Sequence, residues 1–307
     1  MLNAIVMVGI SGSGKSSVAK KLSTKYNAII ISSDELRKEL FNDVNDMEHN
    51  GKVFETLNQR VKENLLNGNN VIVDATNITM KSRKSVLNTI NDVKKTHEIC
   101  VTAYILTKPL SICIEDDEKR VKKVGKDVII RQAERFEIPF YEEGFDEIKI
   151  GKIENKKVTE QDVFEDLIYG MEGYDQKTKF HKYDLLEHTM RCYKEVEKRV
   201  GNKYPSLIAA SLLHDIGKLS AQKIDEKGQA SYLCHANIGT YELLDSIRLS
   251  SDTKDTVETL FYVNYHMLPF NWVNEKTHEK YKQIFGKEKY DNLMILHECD
   301  KIACGVK

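Results

Sequence analysis

Residues 4–17 read AIVMVGISGSGKSS, and this stretch decides the first half of the chain. Five apolar residues ending at a glycine suit a strand buried on both faces. After the loop, Val18, Leu22 and Tyr26 recur at i, i+4 and i+8, which is the period of a helix. Between them Gly9, Gly12, Gly14, Lys15 and Ser16 satisfy G-x-x-x-x-G-K-[ST] without a gap. In a strand, glycine turn and helix of this kind, missing side chains let backbone N–H groups approach phosphate oxygens, and the helix N-terminus favours the negative charge. Gly9, Ser11, Gly12, Ser13, Gly14, Lys15, Ser16 and Ser17 are therefore expected to cradle ATP or another NTP. Lys15 would reach the β and γ phosphates, and Ser16 would be a ligand of Mg.

The pattern continues as repeated strand and helix units, which predicts an α/β domain built on a parallel sheet. A second apolar run, AIII at 28–31, leads into SSDELRKEL, so Asp34 falls just past the carboxyl end of a strand, where such sheets place ligands. Asp34 either caps the helix that starts here or orients and deprotonates an acceptor hydroxyl. Arg37, one turn along the same face, would then hold a phosphate of the acceptor. Phe54, Leu57, Val61 and Leu65 form a helix stripe closed by Gly68, VIVD at 71–74 is a third strand, and EICVTAYIL at 98–106 a fourth. Asp74 at the third strand's end is placed to touch a Mg-bound water, with Thr76 and Asn77 following; capping is an equal reading of all three. The segment EDDEKRVKKVGKDVIIRQAERFEIP, 115–139, alternates charge around Gly125. It reads as a solvated helical hairpin, or as a lid that brings Arg120 or Arg131 over the β and γ phosphates, with Arg120 preferred.

Chemistry changes along the chain, because seven of the nine histidines lie after residue 178. A mostly polar stretch, GKIENKKVTEQDVFEDLIYGMEGYDQKTK, precedes them. It divides the chain into a first domain over 1–152, a junction over 153–177 and an all-α domain over 178–307. In the latter, SLIAASLLHDIGK at 206–218 is an apolar helix that ends in an imidazole, a carboxylate and an ammonium. A carboxylate there needs a compensating cation, since burying it alone costs several kcal/mol or more. His214 and Asp215 point about 100° apart, so they share an ion only if it sits at the helix end and other elements complete its shell. His188, flanked by Leu185 and Cys192, faces inward, and Asp300 continues a stripe with Leu293 and Leu296. His235 and His266 stand at further helix starts or ends. Each alone reads as an ordinary core residue, but together they read as a metal centre. His188, His214, Asp215 and Asp300 suit one divalent ion, and His235 and His266 a second bridged by Asp215. The mixed donors admit Mn, Fe, Ni, Co or Zn. Lys218 would hold a phosphate, or serve only as a surface helix end.

Composition narrows the partners. The net charge of −1 gives no broad basic field, so nucleic acid would be held by local phosphate contacts and not by tracking a long backbone. Six cysteines form no C-x-x-C pair, which suits reduced thiols and a cytoplasmic location. The apolar start is too short to span a membrane, and no secretory segment, membrane anchor or internal repeat is expected.

Over residues 1–150 the segments GISGSGKSS, SSDELR, VIVDATN and Arg120 to FEIP resemble the polynucleotide 5′-kinase family of P-loop phosphotransferases. That resemblance implies that Asp34 is the general base for a 5′-hydroxyl and Arg37 binds the acceptor phosphate. Over 178–307 the order H, HD, H, H, D, in LLEHT, SLLHDIGK, CHANIG, NYH and ECD, resembles the two-metal branch of the HD phosphohydrolase superfamily. His181 falls in a segment similar to that family's substrate rim, while Cys304 stands where some relatives have Arg. Together the halves resemble bifunctional end-healing enzymes, although here the kinase half comes first. The resemblance implies phosphorylation of 5′-hydroxyl ends of RNA or DNA and removal of 2′,3′-cyclic phosphates or 3′-phosphates, with a separate ligase acting afterwards. Two other readings stay open: a nucleotide phosphohydrolase with a regulatory P-loop ATPase, and a small-molecule kinase fused to an HD domain.

Overall fold

The computed structural model describes residues 1–44, 46, 48–120, 123–152, 168–246 and 252–305. The chain divides into two compact units. The first is built on five parallel strands in the order β2-β3-β1-β4-β5: β1 Leu2–Val8, β2 Ala28–Ser32, β3 Asn70–Asp74, β4 Ile99–Thr107 and β5 Glu147–Lys152. Ala4 to Val8 in the central strand are buried, as are Val71 to Val73 and Val101, Ala103 and Ile105, so the continuous apolar runs match a sheet covered on both faces. Helix α1 (Lys15–Tyr26) lays Ala19 and Leu22 on Ile5, Met7 and Ile72, with Val18 and Tyr26 at the margin. The fifth strand, EIKIGK, lacks an apolar run and belongs to the stretch the sequence pattern leaves unassigned at the edge of the junction. Its pairing with β4 makes it an edge strand.

Helices α2 (Ser33–Phe41), α3 (Asn50–Leu66) and α4 (Met80–Lys94) connect the strands. The buried stripe of α3 starts at Val53, not Phe54, and continues through Leu57, Val61 and Leu65, an i, i+4 row. The charged segment after β4 folds as α5 (Leu110–Glu118) and α6 (Lys126–Ala133), with Gly125 in the left-handed region between them at φ 96°.

The second unit is helical: α7 (Leu185–Val200), α8 (Pro205–Leu213), α9 (Lys218–Ala221), α10 (His235–Ser246), α11 (Thr253–Tyr265), α12 (Glu275–Phe285) and α13 (Lys287–Ala303). A two-stranded hairpin, β6 Lys223–Ile224 with β7 Ala230–Ser231, separates α9 from α10. Helix α7 packs on α8 and α13, and α11 on α8 and α10, around Leu185, Cys192, Leu207, Phe261, Leu293 and Leu296. Residues 134–138, grouped with the first half on sequence, belong to this second unit. Phe136 is buried edge-on against Tyr241, and its carbonyl accepts from Asn237 Nδ2 at 2.9 Å and Asn264 Nδ2 at 3.0 Å. Asn264 Oδ1 accepts in turn from the Ile138 N–H at 2.8 Å. All six cysteines are free thiols. No helix among the described residues is long and apolar enough to cross a membrane.

One buried ion pair fixes the loop after β3. Arg83, fully buried on α4, donates from Nε to Glu143 Oε2 at 2.8 Å and from Nη2 to Glu143 Oε1 at 2.7 Å, and its Nη1 reaches the Asn77 carbonyl at 3.1 Å. Glu143→Ala strands that guanidinium, so the first unit should lose about 3–5 kcal/mol, read as a lower urea midpoint; replacing both partners by apolar residues of similar volume should recover most of it.

Candidate functional site

The glycine loop joins β1 to α1 at the carboxyl edge of the sheet. Gly12 has φ 86°, and a Cβ there would run into the Cys113 carbonyl, so only glycine fits. The Gly9 N–H donates to the Thr76 carbonyl at 3.0 Å and Asn77 Nδ2 to the Met7 carbonyl at 2.8 Å, which locks the loop after β3 beneath the phosphate loop. Ser13 is buried, while Ser16 and Ser17 are exposed in the first turn of α1. Lys15 is 8% exposed, and its ammonium donates to the Ile10 carbonyl at 2.7 Å. Burial pushes it down to about 8; the charges that bear on it next are Asp74, Arg120 and Asp34. Asp74 is raised by burial against the opposing effects of a hydrogen bond to Ser16 and the Lys15 charge. Asp74 and the Ser16 hydroxyl are thus the hard oxygen pair that would hold Mg at the helix start.

Asp34 does not cap α2; that role falls to Ser32, whose Oγ accepts from the Glu35 N–H at 3.5 Å. The Asp34 carboxylate is 72% exposed, and Arg37 Nη1 donates to it at 2.9 Å. Arg37 also spends Nε on the Asp46 carbonyl at 3.0 Å and Nη2 on Asn50 Oδ1 at 2.8 Å, so its guanidinium is anchored in the protein and orients Asp34. Of the two candidate lid arginines, Arg120 is the one whose charge reaches Lys15, whereas Arg131 Nε is engaged with the Asp127 carbonyl at 3.2 Å. Asp117 is buried and accepts from the Val124 and Gly125 N–H groups at 3.0 and 2.9 Å.

In the second unit all six imidazole and carboxyl groups come together in two sets that share Asp215. They arrive from α7 (His188), the turn after α8 (His214, Asp215), the start of α10 (His235), the end of α11 (His266) and α13 (Asp300). Asp215 Oδ2 lies 3.1 Å from His188 Nε2 and 3.4 Å from His214 Nε2. Asp300 Oδ1 lies 3.1 Å from His188 Nε2 and 3.7 Å from His214 Nε2. Asp215 Oδ1 faces the other way, 3.1 Å from His235 Nε2 and 3.7 Å from His266 Nε2. The turn approaches α10 this closely because residue 217 is glycine: a Cβ there would overlap the His235 carbonyl and stand 2.6 Å from the Gly239 nitrogen.

The donor set fits a divalent cation. His214, His235 and His266 place Nδ1 against the carbonyls of Ser211, Tyr232 and Val263 at 2.9, 2.8 and 2.7 Å. A carbonyl only accepts, so Nδ1 carries the proton and Nε2 turns a lone pair inward. His235 and His266 Nε2 stand 3.1 Å apart, and His214 and His188 Nε2 3.3 Å, beside two carboxylates. Such a gathering of lone pairs is stable only around a proton or a metal. His214 is pushed up to about 10, because Asp215 and Asp300 together outweigh the burial that would lower it. Asp215 is held well below the usual carboxylate range: burial works against this, but Lys218 and His214 prevail.

Lys218 is buried with its ammonium 2.6 Å from Asp215 Oδ2, 2.9 Å from Gln176 Oε1 and 3.2 Å from His181 Nε2. These contacts use its three donors, so it is neither a free surface lysine nor a free phosphate hook; it neutralises Asp215. His181, pushed down to about 4 by burial and the Lys218 charge, packs edge-on against His188. Cys304 lies beside His181 and His188, with their ligand atoms all within 4.8 Å of one another. Gln176 carries no sequence signal for this role.

Residues 5–139 match a family model described as an AAA domain. The first unit has an α/β fold on a parallel five-stranded sheet, with the P-loop sequence between β1 and α1. Among solved structures the chain is similar to a gluconokinase from Sinorhizobium meliloti 1021, at 17% identity over 50% of this chain and 84% of that one, TM-score 0.37. It is similar also to a chain of the Pnkp1/Rnl/Hen1 RNA repair complex, at 23% identity over 43% of this chain and 42% of that one, TM-score 0.37. A shikimate kinase from Acinetobacter baumannii aligns at 17% identity over 55% of this chain and 92% of that one, TM-score 0.32. No curated protein matches the sequence. The family match ends at residue 139, so the helical unit rests on its own geometry.

Because Asp215 serves both ligand sets, Asp215→Asn should lower affinity for Mn or Ni by at least about 100-fold at both positions, whereas His266→Ala should spare the set of His188, His214 and Asp300. Metal analysis of the purified variants, with calorimetric titration of Mn, measures the difference.

Proposed function

We propose that the chain repairs broken nucleic-acid ends: its P-loop unit phosphorylates a 5′-hydroxyl from ATP or another NTP, and its helical unit is an HD-type phosphoesterase that removes a 2′,3′-cyclic phosphate or 3′-phosphate. The observation that carries this reading is the Asp215 carboxylate, with one oxygen turned to each set of histidines, which is the donor geometry for two divalent ions at a phosphate ester. Ions bound there supply Lewis acidity at the phosphorus–oxygen bond. The chain's own groups do the remainder. Carbonyls three residues back fix three of the four imidazoles, Lys218 balances the shared carboxylate, and half-buried His181 lines the approach beside His188.

In the P-loop unit, Lys15 and Arg120 neutralise charge on the transferred phosphoryl group, Ser16 and Asp74 hold Mg, and exposed Asp34 accepts the proton of the attacking hydroxyl. Arg37 sets the carboxylate in place. Both sites need only local phosphate contacts, which agrees with a net charge of −1. The anchored guanidinium of Arg37 also favours a second reading, in which the acceptor is a small alcohol without a terminal phosphate for an arginine to grip.

Incubation with ATP, Mg, Mn and a short RNA bearing 5′-hydroxyl and cyclic-phosphate termini tests both activities. Lys15→Ala should cut 5′-phosphorylation by about 100-fold or more while phosphate opening persists, and Asp215→Ala should do the reverse. Phosphate transfer to a small polyol and none to the oligonucleotide would instead select the second reading.

A further inference from the structure

One contact ties the phosphate loop to the hairpin after β4 and has no part in the roles above. The Ser11 N–H donates to Gln132 Oε1 at 2.7 Å, from the last turn of α6. The carbonyl of that same peptide unit, Ile10, accepts from Lys15 Nζ at 2.7 Å. Both ends of the Ile10–Ser11 peptide are therefore held, one by the cation that must reach the β and γ phosphates and the other by a neutral carboxamide. The carbonyl and N–H of a trans peptide point in opposite directions, so Lys15 and Gln132 grip this peptide from its two sides, and a polyphosphate that engages both must pass across it. The Ser11 N–H belongs to the loop whose amides serve as phosphate donors. A nucleotide that claims it releases Gln132 Oε1, and a half-buried carboxamide left without a partner is costly. Gln132 carries two N–H donors on the same group, so a rotation about its last torsion offers them to the incoming oxygen.

We propose that Gln132 is a phosphate-contacting residue of the kinase site. It occupies the Ser11 N–H before a nucleotide binds and then donates its Nε2–H group to the terminal phosphate of a nucleoside triphosphate, so that α6 settles on a triphosphate in preference to a diphosphate. The inference rests on the nucleotide-binding reading of the loop. A carboxylate at this position would accept from Ser11 equally well but would repel the terminal phosphate, which separates the two halves of the proposal.

The test is calorimetric titration of the full chain, in Mg, with a β,γ-methylene analogue of ATP and with ADP, for the wild type, Gln132→Ala, Gln132→Glu and Lys15→Ala. The wild type should prefer the triphosphate. Gln132→Ala should shrink that preference by about tenfold, the worth of one hydrogen bond to a charged group, with ADP affinity little changed. Gln132→Glu should shrink it further. An unchanged triphosphate-to-diphosphate ratio in both Gln132 variants, with Lys15→Ala still weakening both nucleotides, overturns the role of Gln132 and leaves the loop's reading intact. A wild type that binds neither nucleotide overturns both.

Discussion

A single buried carboxylate governs the second half of this molecule. Asp215 sits in the core at 2% exposure, and no apolar helix would tolerate that charge without cations around it. Lys218 answers part of the demand at 2.6 Å and is itself held by Gln176 and His181. Elements far apart in sequence supply the rest of its surroundings: α7, the turn after α8, α10 and α11 turn imidazoles toward it, and α13 adds Asp300, a second carboxylate against His188 and His214. The helical packing and the donor set are one constraint. If any of these helices shifts along its axis by a turn, about 5.4 Å, a ligand leaves the cluster and a charge is left uncompensated.

The P-loop unit meets a related difficulty differently. Its buried charge is a lysine, and Lys15 is lowered to about 8 because burial outweighs the neighbouring Asp74 and Asp34. A poorly solvated ammonium is a strong partner for a polyphosphate, since little hydration is lost when the anion arrives. The loop's Ile10 carbonyl holds it meanwhile.

What the sequence discloses follows from how local each requirement is. The phosphate loop was legible because its chemistry needs contiguous residues, and β1 to β4 were legible because strands buried on both faces are unbroken apolar runs. β5 carries no such signal, since EIKIGK sits at the sheet's edge and needs no apolar run. Nothing local around Phe136 announces that Asn237 and Asn264 donate to its carbonyl. The six donors can be read as a set because each lies beside apolar periodicity, and the structure gathers them in two groups that share Asp215. The partners that steady them could not be read, since Gln176, like Gln132 on the loop, is an ordinary polar residue until the chain is folded.

The placing of the histidines has a backbone cause. His214, His235 and His266 each donate Nδ1–H to the carbonyl three residues earlier. Inside a regular helix such carbonyls are committed to the ladder, but the last turn of a helix leaves them free, and the Tyr232 carbonyl before α10 takes the His235 ring together with the His235 backbone N–H at 3.2 Å. Helix ends are therefore where a histidine can lock its tautomer without an added side chain, and these three stand at the end of α8, the start of α10 and the end of α11. His188 is the exception that fits the same rule. It lies within the first turns of α7, and its Nδ1 has no hydrogen-bond partner among the described residues. Its ring is instead steered by the edge of His181 and by the two carboxylates at Nε2, so its tautomer follows whatever occupies the cluster. Of the four imidazoles, His188 is the one whose tautomer no backbone carbonyl sets.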